Sequence, residues 1–367
     1  MLKKICILLS VFLVIISCSK VKNSATDPNA ATVGWSAVGQ KGFTISTADN
    51  LDMEISGSTP YICHRAAYGS CSPYVLKFNG TEWETVGSGA VINAPADSVR
   101  LAMDGTTPYI AFVDYESNTK VTVMKYSGSA WEFVGSRGFS DQMAYSVDIY
   151  VNNSVPYIAI ENQGGPNTAV MKFVSGSWQN VGTPGITAGG TSFISIAVDN
   201  GTPYIAYNDT ANGYTASVMK YDGSTWVYAG SPAFSAGEIF YIDLCIYDGA
   251  PYVVYCDNAN SEKATVRKFN GTSWDTVGTA GFSQGRAYYP SISVNDGKPY
   301  VSFMDWSDSL CRSTVMKFSG TQWENVGNPY FSDGCVNQTT IRFVGNVPFV
   351  SFADLAYDWK AVVMKYQ

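Results

Sequence analysis

Histidine, positive charge and long apolar segments are all scarce in this chain. Its single histidine, His64, leaves almost no room for a histidine-based metal cluster or a serine–histidine catalytic site. Lysine and arginine total 23 against 30 acidic residues, which gives a formal net charge of -7. Because nucleic-acid binding normally needs a basic face, this balance argues against such a partner. No segment shows a helical period of about 3.6 residues that would indicate a helix.

The composition instead favours a β-rich extracellular protein. Hydrophobic residues make up 46% of the 367 residues and charged residues only 14%. That is enough apolar material for a large buried core, and too little charge for a disordered or coiled-coil protein. Abundant glycine (34), tyrosine (24) and tryptophan (9) complete the profile.

The first 32 residues predict export and a lipid anchor. Residues 1–17 combine two early lysines with an apolar run typical of a secretory signal peptide, too short for a membrane-spanning helix of about 20 residues. The tetrapeptide Ile15–Cys18 resembles the bacterial lipobox, which implies lipidation of Cys18, although an ordinary cleaved signal is the alternative. Residues 18–32 are polar and are interpreted as the lipid anchor and a flexible tether. The expected location is the bacterial outer membrane or cell surface.

One unit of about 48 residues recurs seven times after the tether. Each copy contains a Trp-x-x-Val-Gly motif or a close variant, then a Pro-Tyr-Ile motif and a Val-Met-Lys-Tyr motif. The tryptophans are Trp35, Trp83, Trp131, Trp178, Trp226, Trp274 and Trp323. Each unit has four runs rich in Val, Ile, Tyr and Phe, which in the sixth are 291–294, 299–304, 313–318 and 323–326. Four strands per repeat are typical of a β-propeller blade.

The order of these motifs at the two ends of the repeat region predicts how the ring closes. The first motif after the tether, at Trp35, is the one typical of a fourth strand. The last motif, at 362–366, is the one typical of a third strand. The N-terminal strand would therefore complete blade 7 and leave no open sheet edge. The predicted fold is all-β, a seven-bladed β-propeller of four-stranded antiparallel blades over residues 33–367.

Residues alike in every unit are interpreted as structural, because a single site on a ring needs asymmetry. The seven tryptophans are predicted to fill the space between adjacent blades. Six units also carry Asp or Asn six positions after the strand-two proline, where a hydrogen-bonding role at the strand end is favoured over a ring of cation ligands. These residues are Asp114, Asn162, Asp209, Asp257, Asp305 and Asp354.

The two faces of the predicted ring differ. The loops between strands two and three, and those from strand four to the next blade, share one face and vary from unit to unit. This variable face is the candidate functional surface. Its candidate ligand-binding residues are Trp306, Tyr357, Trp359, Arg286, Tyr288 and Tyr289. Both tryptophans fall outside the repeat register, and such rings beside polar groups suit a sugar or a partner chain. Rings that merely cover the loop bases are an equal alternative.

Six cysteines follow Cys18, an even number that permits disulfides in an exported protein. Cys311 and Cys335 fall in neighbouring loops of the variable face and are the favoured pair. Cys63 with Cys71 would bracket one loop of blade 1. The other two lie diagonally on adjacent strands, where a bond would need some adjustment. Zinc binding is not expected, because the chain has no Cys-x-x-Cys spacing.

The innermost strands carry a polar residue eight positions before each strand-two proline. Three of these residues are carboxylates, Asp52, Asp148 and Asp243. Around a narrow channel they suggest a site for a hard cation such as Ca²⁺. The favoured interpretation is a water-filled channel in which Arg100 balances one carboxylate. Apart from this calcium ion, no cofactor is expected.

The whole mature chain resembles bacterial exported seven-bladed propeller repeats, which are similar in kind to kelch-type and lectin propellers. The resemblance rests on the three repeated motifs. The paired glycines of kelch repeats are missing. Propellers host many unrelated activities, so this resemblance implies the fold more than the function. The predicted function is a non-enzymatic, monomeric cell-surface binding or scaffold lipoprotein whose variable face meets a glycan or a protein.

The alternative is a sialidase-like glycosidase that acts on extracellular glycans. The turn from Gly223 to Trp226 resembles the tail of the Asp box of sialidase propellers, but Tyr221 stands where the box has its aspartate. The arginine triad and the acid–nucleophile pair of sialidases cannot be mapped onto this chain. Glycoside hydrolysis needs only two carboxylates, which keeps the alternative open.

Overall fold

The runs of Val, Ile and Tyr form short strands, and the Gly, Asn and Asp clusters between them form the turns. The computed structural model describes residues 33–67, 69–164, 167–307 and 309–367. The predicted signal peptide (1–17), the lipidation site Cys18 and the tether to residue 32 lie outside the described residues. The described part contains 28 strands in seven antiparallel four-stranded sheets. This confirms the predicted all-β, seven-bladed propeller.

Strands with the same place in each blade have nearly the same length. The first, inner strands are β2 (Ala48–Ser56), β6 (Ala96–Asp104), β10 (Ala144–Asn152), β14 (Thr191–Asp199), β18 (Ile239–Tyr247), β22 (Ala287–Asn295) and β26 (Val336–Val344). The second strands are β3 (Thr59–Ala66), β7 (Thr107–Asp114), β11 (Val155–Asn162), β15 (Thr202–Asp209), β19 (Ala250–Asp257), β23 (Lys298–Asp305) and β27 (Val347–Asp354).

The outer half of each blade is shorter. The third strands are β4 (Pro73–Phe78), β8 (Lys120–Tyr126), β12 (Thr168–Val174), β16 (Thr215–Tyr221), β20 (Lys263–Phe269), β24 (Arg312–Phe318) and β28 (Lys360–Tyr366). The fourth, outer strands are β5 (Trp83–Thr85), β9 (Trp131–Phe133), β13 (Ser177–Asn180), β17 (Trp226–Tyr228), β21 (Trp274–Thr276), β25 (Trp323–Asn325) and β1 (Trp35–Ala37).

Helical structure in the described residues is confined to single turns after four of the second strands. These 3-10 turns are Tyr115–Ser117, Thr210–Asn212, Asn258–Asn260 and Leu355–Tyr357. None of the helices in the described part of the chain has the length and apolar character needed to cross a membrane.

The ring closes through its N-terminal strand, as predicted. Strand β1 pairs antiparallel with β28, with Trp35 opposite Tyr366 and Ala37 opposite Met364. The sheet order β1-β28-β27-β26 makes β1 the fourth strand of blade 7. The two ends of the propeller are thus held together by hydrogen bonds rather than by a covalent connection.

The hydrophobic core lies between blades rather than within one sheet. Seven buried apolar clusters occupy the seven contacts between neighbouring blades. In the cluster between blades 1 and 2, Tyr61 and Cys63 from β3 pack with Val99 and Leu101 from β6. Each blade therefore depends on its two neighbours for burial of its apolar side chains.

The repeated tryptophans occupy these contacts, as the sequence predicted. Each indole N–H donates a hydrogen bond to a carbonyl of the preceding blade, for example Trp274 Nε1 to Ala229 O at 2.7 Å. Several rings also stack on a phenylalanine of the entering loop, as Trp323 does on Phe282 with centroids 3.8 Å apart. The Val-Gly motif serves this packing: Gly278 has a φ of 71°, and a Cβ there would meet the Phe318 ring at 2.7 Å.

The aspartates at the ends of the second strands hold the following turns, which confirms their predicted hydrogen-bonding role. Asp209 accepts hydrogen bonds from the Ala211 backbone N–H at 3.2 Å and from the Ser217 hydroxyl at 2.9 Å. Asp114 and Asp354 cap the equivalent turns in blades 2 and 7.

One predicted disulfide is confirmed and the other is wrong. Cys311 and Cys335 are bonded, with their Cα atoms 4.6 Å apart. Cys63 and Cys71 are both free. Cys63 lies in the middle of β3 with its side chain in the core between blades 1 and 2. Cys71 belongs to the loop after that strand, so the two sulfurs do not meet.

Candidate functional site

Each inner strand changes register near its start, at the end that faces the variable loops. In six blades the residue at this β-bulge has a positive φ. These bulge residues are Asn50, Ser98, Phe193, Tyr241, Tyr289 and Gln338, and all of them line the mouth of the central channel. In each of these six blades the bulge thus aims one side chain at the same opening.

On one side of the mouth the bulge residues are polar and join neighbouring blades. The side-chain oxygen of Gln338 accepts a hydrogen bond from Leu51 N at 2.9 Å, across the junction of blades 7 and 1. The side-chain oxygen of Asn50 accepts a hydrogen bond from Val99 N at 3.2 Å, across the junction of blades 1 and 2. These side chains satisfy backbone donors that would otherwise face the channel.

On the other side, in blades 4 to 6, the bulge residues are aromatic. Phe193, Tyr241 and Tyr289 form a continuous row that we call the aromatic arc. The ring centroids of Phe193 and Tyr241 are 4.7 Å apart, and those of Tyr241 and Tyr289 are 4.6 Å apart. Phe193 is 41% exposed. Tyr241 and Tyr289 are half-buried, so the arc is a partly exposed aromatic wall along three of the seven blades at the channel mouth.

Two further rings extend the arc outward over blade 6. Tyr288 meets Tyr241 edge-on at 6.1 Å, and Trp306 meets Tyr288 edge-on at 6.0 Å. Trp306 is 44% exposed, and its backbone N–H donates to the Arg286 carbonyl at 3.0 Å. Both Tyr288 and Arg286 contact Glu262 through their side chains. Four of the six sequence-predicted residues therefore lie together.

The placement of Tyr288 and Tyr289 differs from the sequence interpretation. The sequence pattern predicts both in the loop that enters blade 6, with the strand beginning at Ser291. The structure places both in β22 (Ala287–Asn295), on the bulge itself. The bulge breaks the alternation of side chains, which is why the start of this strand was missed.

Tyr357 and Trp359 have a different setting from the other four residues. Trp359 is half-buried and packs against the core cluster between blades 7 and 1, and its carbonyl accepts a hydrogen bond from Ala48 N at 2.9 Å. Tyr357 is also half-buried, with its hydroxyl bonded to Asp333. For this pair the structure favours the alternative that the rings cover the base of their loop.

Below the channel mouth, three aspartates connect inner strands of neighbouring blades. Asp52 accepts a hydrogen bond from Leu101 N at 3.1 Å, and Asp148 accepts one from Ile196 N at 2.8 Å. Asp243 accepts from Ile292 N at 2.9 Å. Each carboxylate thus joins its own blade to the next one at the channel wall.

The channel also holds two guanidinium groups, which are close to carboxylates. Arg342 Nη2 lies 2.7 Å from Glu54 Oε1, and Arg100 Nε lies 4.0 Å from Asp148 Oδ1. The predicted balance of Arg100 against one carboxylate is therefore present. Burial is the largest cause that raises the pKa of Asp148, to about 7, although Arg100 opposes this rise.

The three aspartates do not fit the calcium site that their sequence positions suggested. Each directs oxygen atoms at backbone N–H groups of its own and the next strand, as Asp148 does towards Ile149 N and Ile196 N. Over the described ranges there is no group of three or more His, Cys, Asp or Glu side chains that could hold a metal ion.

The mouth opens into a cavity of about 570 Å³ that is lined by inner strands of all seven blades. Two members of its aromatic arc, Phe193 and Tyr241, were missed from the sequence. Both stand ten positions before the strand-two proline, where blades 1, 2 and 7 have polar residues. Aligning this column of the repeat would have shown the change to aromatic residues in three successive blades.

Solved propellers with other sequences share this fold. The chain is similar to the SapL1 lectin in complex with alpha methyl fucoside, with a TM-score of 0.54 and 13% identity over 80% of this chain and 99% of the lectin. It is similar to the Aleuria aurantia lectin in complex with Fucalpha1-6GlcNAc, with a TM-score of 0.50 and 15% identity over 80% and 100% of the two chains.

It is also similar to Trypanosoma rangeli sialidase in complex with sialic acid, with a TM-score of 0.50 and 12% identity over 88% of this chain. The match covers 54% of the sialidase, so this chain spans about half the length of that enzyme. At these identities the likeness concerns the fold alone. No family model and no curated protein matches the sequence.

Proposed function

We propose that this protein is a non-enzymatic propeller that binds a glycan at the channel mouth of its variable face. The aromatic arc is the observation that carries the proposal. One exposed ring, Phe193, and two half-buried rings, Tyr241 and Tyr289, stand side by side above a polar cavity, an arrangement suited to stacking against the apolar faces of sugar rings. The polar groups of the cavity would serve the sugar hydroxyls.

The backbone beneath the arc supports a functional role for its rings. Phe193, Tyr241 and Tyr289 have φ angles of 54°, 48° and 49°. This left-handed region is unfavourable for bulky side chains and easier for asparagine. Asn50 has the equivalent position in blade 1 and makes a useful hydrogen bond there. Large rings at strained positions, where the fold has a less strained solution, favour a role in binding.

The known ligands of similar folds agree with this proposal. Both lectins named above were solved with fucose-containing sugars, and the sialidase with sialic acid. These observations belong to those proteins. They support a glycan as the ligand class here in combination with the arc.

We further propose that the propeller is displayed on the bacterial surface, as a monomeric lipoprotein anchored through Cys18. Support comes from the signal-like residues 1–17 and the lipobox-like tetrapeptide. The Cys311–Cys335 disulfide is consistent with an oxidising compartment outside the cytosol. Metabolic labelling with a radioactive fatty acid tests the anchor: the wild-type chain should be labelled, and a Cys18→Ala chain should not.

A glycan array probed with the propeller, residues 33–367, tests the binding site. The test variant is Tyr241→Asn, which removes the central ring and introduces the side chain that blade 1 uses. The control is Tyr247→Ser, which removes a partly exposed ring at the other end of the same strand. Binding should be lost in the first and kept in the second. Equal binding by both variants, or none by the wild type, would refute the proposed site.

The glycosidase alternative has one observation in its favour. Asp148 lies in the channel wall with a pKa raised to about 7, and a carboxyl that is protonated near neutral pH suits a general acid. A panel of fluorogenic glycosides separates the two functions. Turnover that disappears in an Asp148→Ser variant would establish an enzyme, whereas binding without turnover supports the lectin-like function.

A further inference from the structure

The cavity below the aromatic arc is acidic. Among the described residues that line it are five carboxylates and two guanidinium groups, with no lysine or histidine. The carboxylates are Asp52, Glu54, Asp97, Asp148 and Asp243. Five against two leaves a formal charge of -3. Such a cavity attracts cations and repels anions, most strongly where the walls exclude water.

Neither arginine of the cavity is available for an acidic ligand. Arg342 pairs with Glu54 and also donates to the Ile341 carbonyl of its own strand at 2.9 Å. Arg100 lies within ion-pair distance of Asp148 and donates to the Val99 carbonyl at 3.0 Å. Nor is Asp97 at the rim a free anion, because Arg65 lies 3.7 Å from it. The acidic character therefore concentrates on the deeper carboxylates.

Asp243 has a particular position under the arc. It stands two residues after Tyr241 on β18, and both line the cavity. The Ser195 and Ser291 hydroxyls, each two residues after another arc member, donate to its carboxylate at 3.3 Å and 3.0 Å. The backbone N–H groups of Leu244 and Ile292 donate to it as well, each at 2.9 Å, and burial is the largest cause that raises the pKa of this carboxyl. A cation held below the rings would interact favourably with its buried charge.

We propose that the channel mouth selects saccharides that carry a free, positively charged amino group and discriminates against acidic saccharides. This inference rests on the glycan-binding function proposed above and specifies the class of glycan. The rings of the arc stack on the sugar and attract the ammonium group through their faces. The negative charge of the Asp243 carboxylate, whose oxygens already accept hydrogen bonds within the protein, attracts the ammonium group from below. An acidic saccharide would meet the same carboxylate with no free arginine to bind it.

The test compares one set of oligosaccharides in three forms, with amino groups acetylated, with amino groups free and protonated, and with carboxylates added. Titration calorimetry of the wild-type propeller should show about tenfold tighter binding of the free-amine form than of the acetylated form. The carboxylated form should bind more weakly than either. Added salt should reduce the preference for the amine.

The variant Asp243→Ser removes the charge with little risk to the fold. Serine is the residue at this position in blades 4 and 6, and Ser195 already accepts a hydrogen bond from Leu244 N at 3.3 Å. In this variant the amine preference should fall to about parity, while the acetylated form binds as before. Thermal melting of both proteins checks that the variant is folded.

The outcomes separate the two proposals. Equal binding of acetylated and free-amine forms by the wild type, or tighter binding of the carboxylated form, would overturn the amine selectivity and leave glycan binding intact. An unchanged preference in folded Asp243→Ser would overturn the role of this carboxylate. If none of the three forms binds and the array is also blank, the glycan-binding function itself fails.

Discussion

Tyr241 and Tyr289 lie beside each other on neighbouring blades, with ring centroids 4.6 Å apart, although both residues have a left-handed backbone. The contact between the rings is favourable, since such aromatic pairs contribute about 0.5–1.5 kcal/mol beyond their buried area. The backbone under each ring is unfavourable by a similar amount. The pair therefore gains little net stability, which is consistent with the ligand contact proposed above for these half-buried rings at the channel mouth.

The first prediction concerns this strain. Tyr241→Asn should leave the free energy of unfolding unchanged or raise it by up to about 0.5 kcal/mol, because asparagine tolerates the left-handed region. Urea denaturation of the two proteins measures the difference. Tyr255→Asn, which places the same change at a buried extended position of β19, is the contrasting variant and should destabilise by several kcal/mol. Strong destabilisation by Tyr241→Asn would show that the ring is part of the structural core.

The propeller itself follows from the sequence for a simple physical reason. Because packing between blades needs the same side chains in every blade, the tryptophan and glycine motifs recur at nearly constant spacing. The order of the motifs along the chain also identifies β1 as the last strand of blade 7. Repetition cannot show a site, however, because binding depends on how the blades differ.

The candidate site could be predicted only in part. Trp306 was found because it falls outside the repeat register, and it is exposed. Trp359 was chosen by the same criterion, yet it packs against the core between two blades. The cluster that it packs against includes Val38, Phe43 and Ala48, which are more than 300 residues away in sequence. Phe193 and Tyr241 were missed because a bulge, invisible to an alternating pattern, turns them towards the channel.

The second prediction concerns His64, which is 1% exposed and has no hydrogen-bond partner at Nδ1 in the described structure. The same column of the repeat holds large buried side chains in the other blades. These are Phe112, Ile160, Tyr207, Tyr255, Phe303 and Phe352. Burial lowers the pKa of His64 from 6.5 to about 4. The neutral imidazole is therefore the form that the folded protein accepts.

The sign of the pH dependence follows from this shift. The unfolded chain takes up a proton below about pH 6.5, whereas the folded chain resists it down to about pH 4. Stability present above pH 6.5 should thus fall by up to about 3 kcal/mol as the pH decreases through this window. In His64→Phe this loss should disappear. Denaturation curves at several pH values measure it, and parallel pH profiles for the two proteins would contradict the prediction.

The third prediction concerns the disulfide between Cys311 and Cys335, which are 24 residues apart in sequence. Closing a loop of this length in the unfolded chain stabilises the native state by about 3 kcal/mol. The double variant Cys311→Ser with Cys335→Ser should lose about this amount. Cys63→Ala is the control for loss of a thiol without loss of a bond, since Cys63 is free. Reducing agent should lower the melting temperature of the wild type but not of the double variant.

The last prediction concerns ring closure by β1. Trp35 donates to the Val326 carbonyl at 2.7 Å and stacks on Phe331 with centroids 4.2 Å apart. A chain that starts at residue 41 lacks the whole strand and exposes the edge of β28. It should melt at a lower temperature and associate through that edge, unlike the control chain that starts at residue 33. A synthetic peptide of residues 33–40 should restore the monomer in size-exclusion chromatography, because it supplies the missing strand. If the shortened chain stays monomeric and equally stable, closure by β1 contributes nothing to the ring.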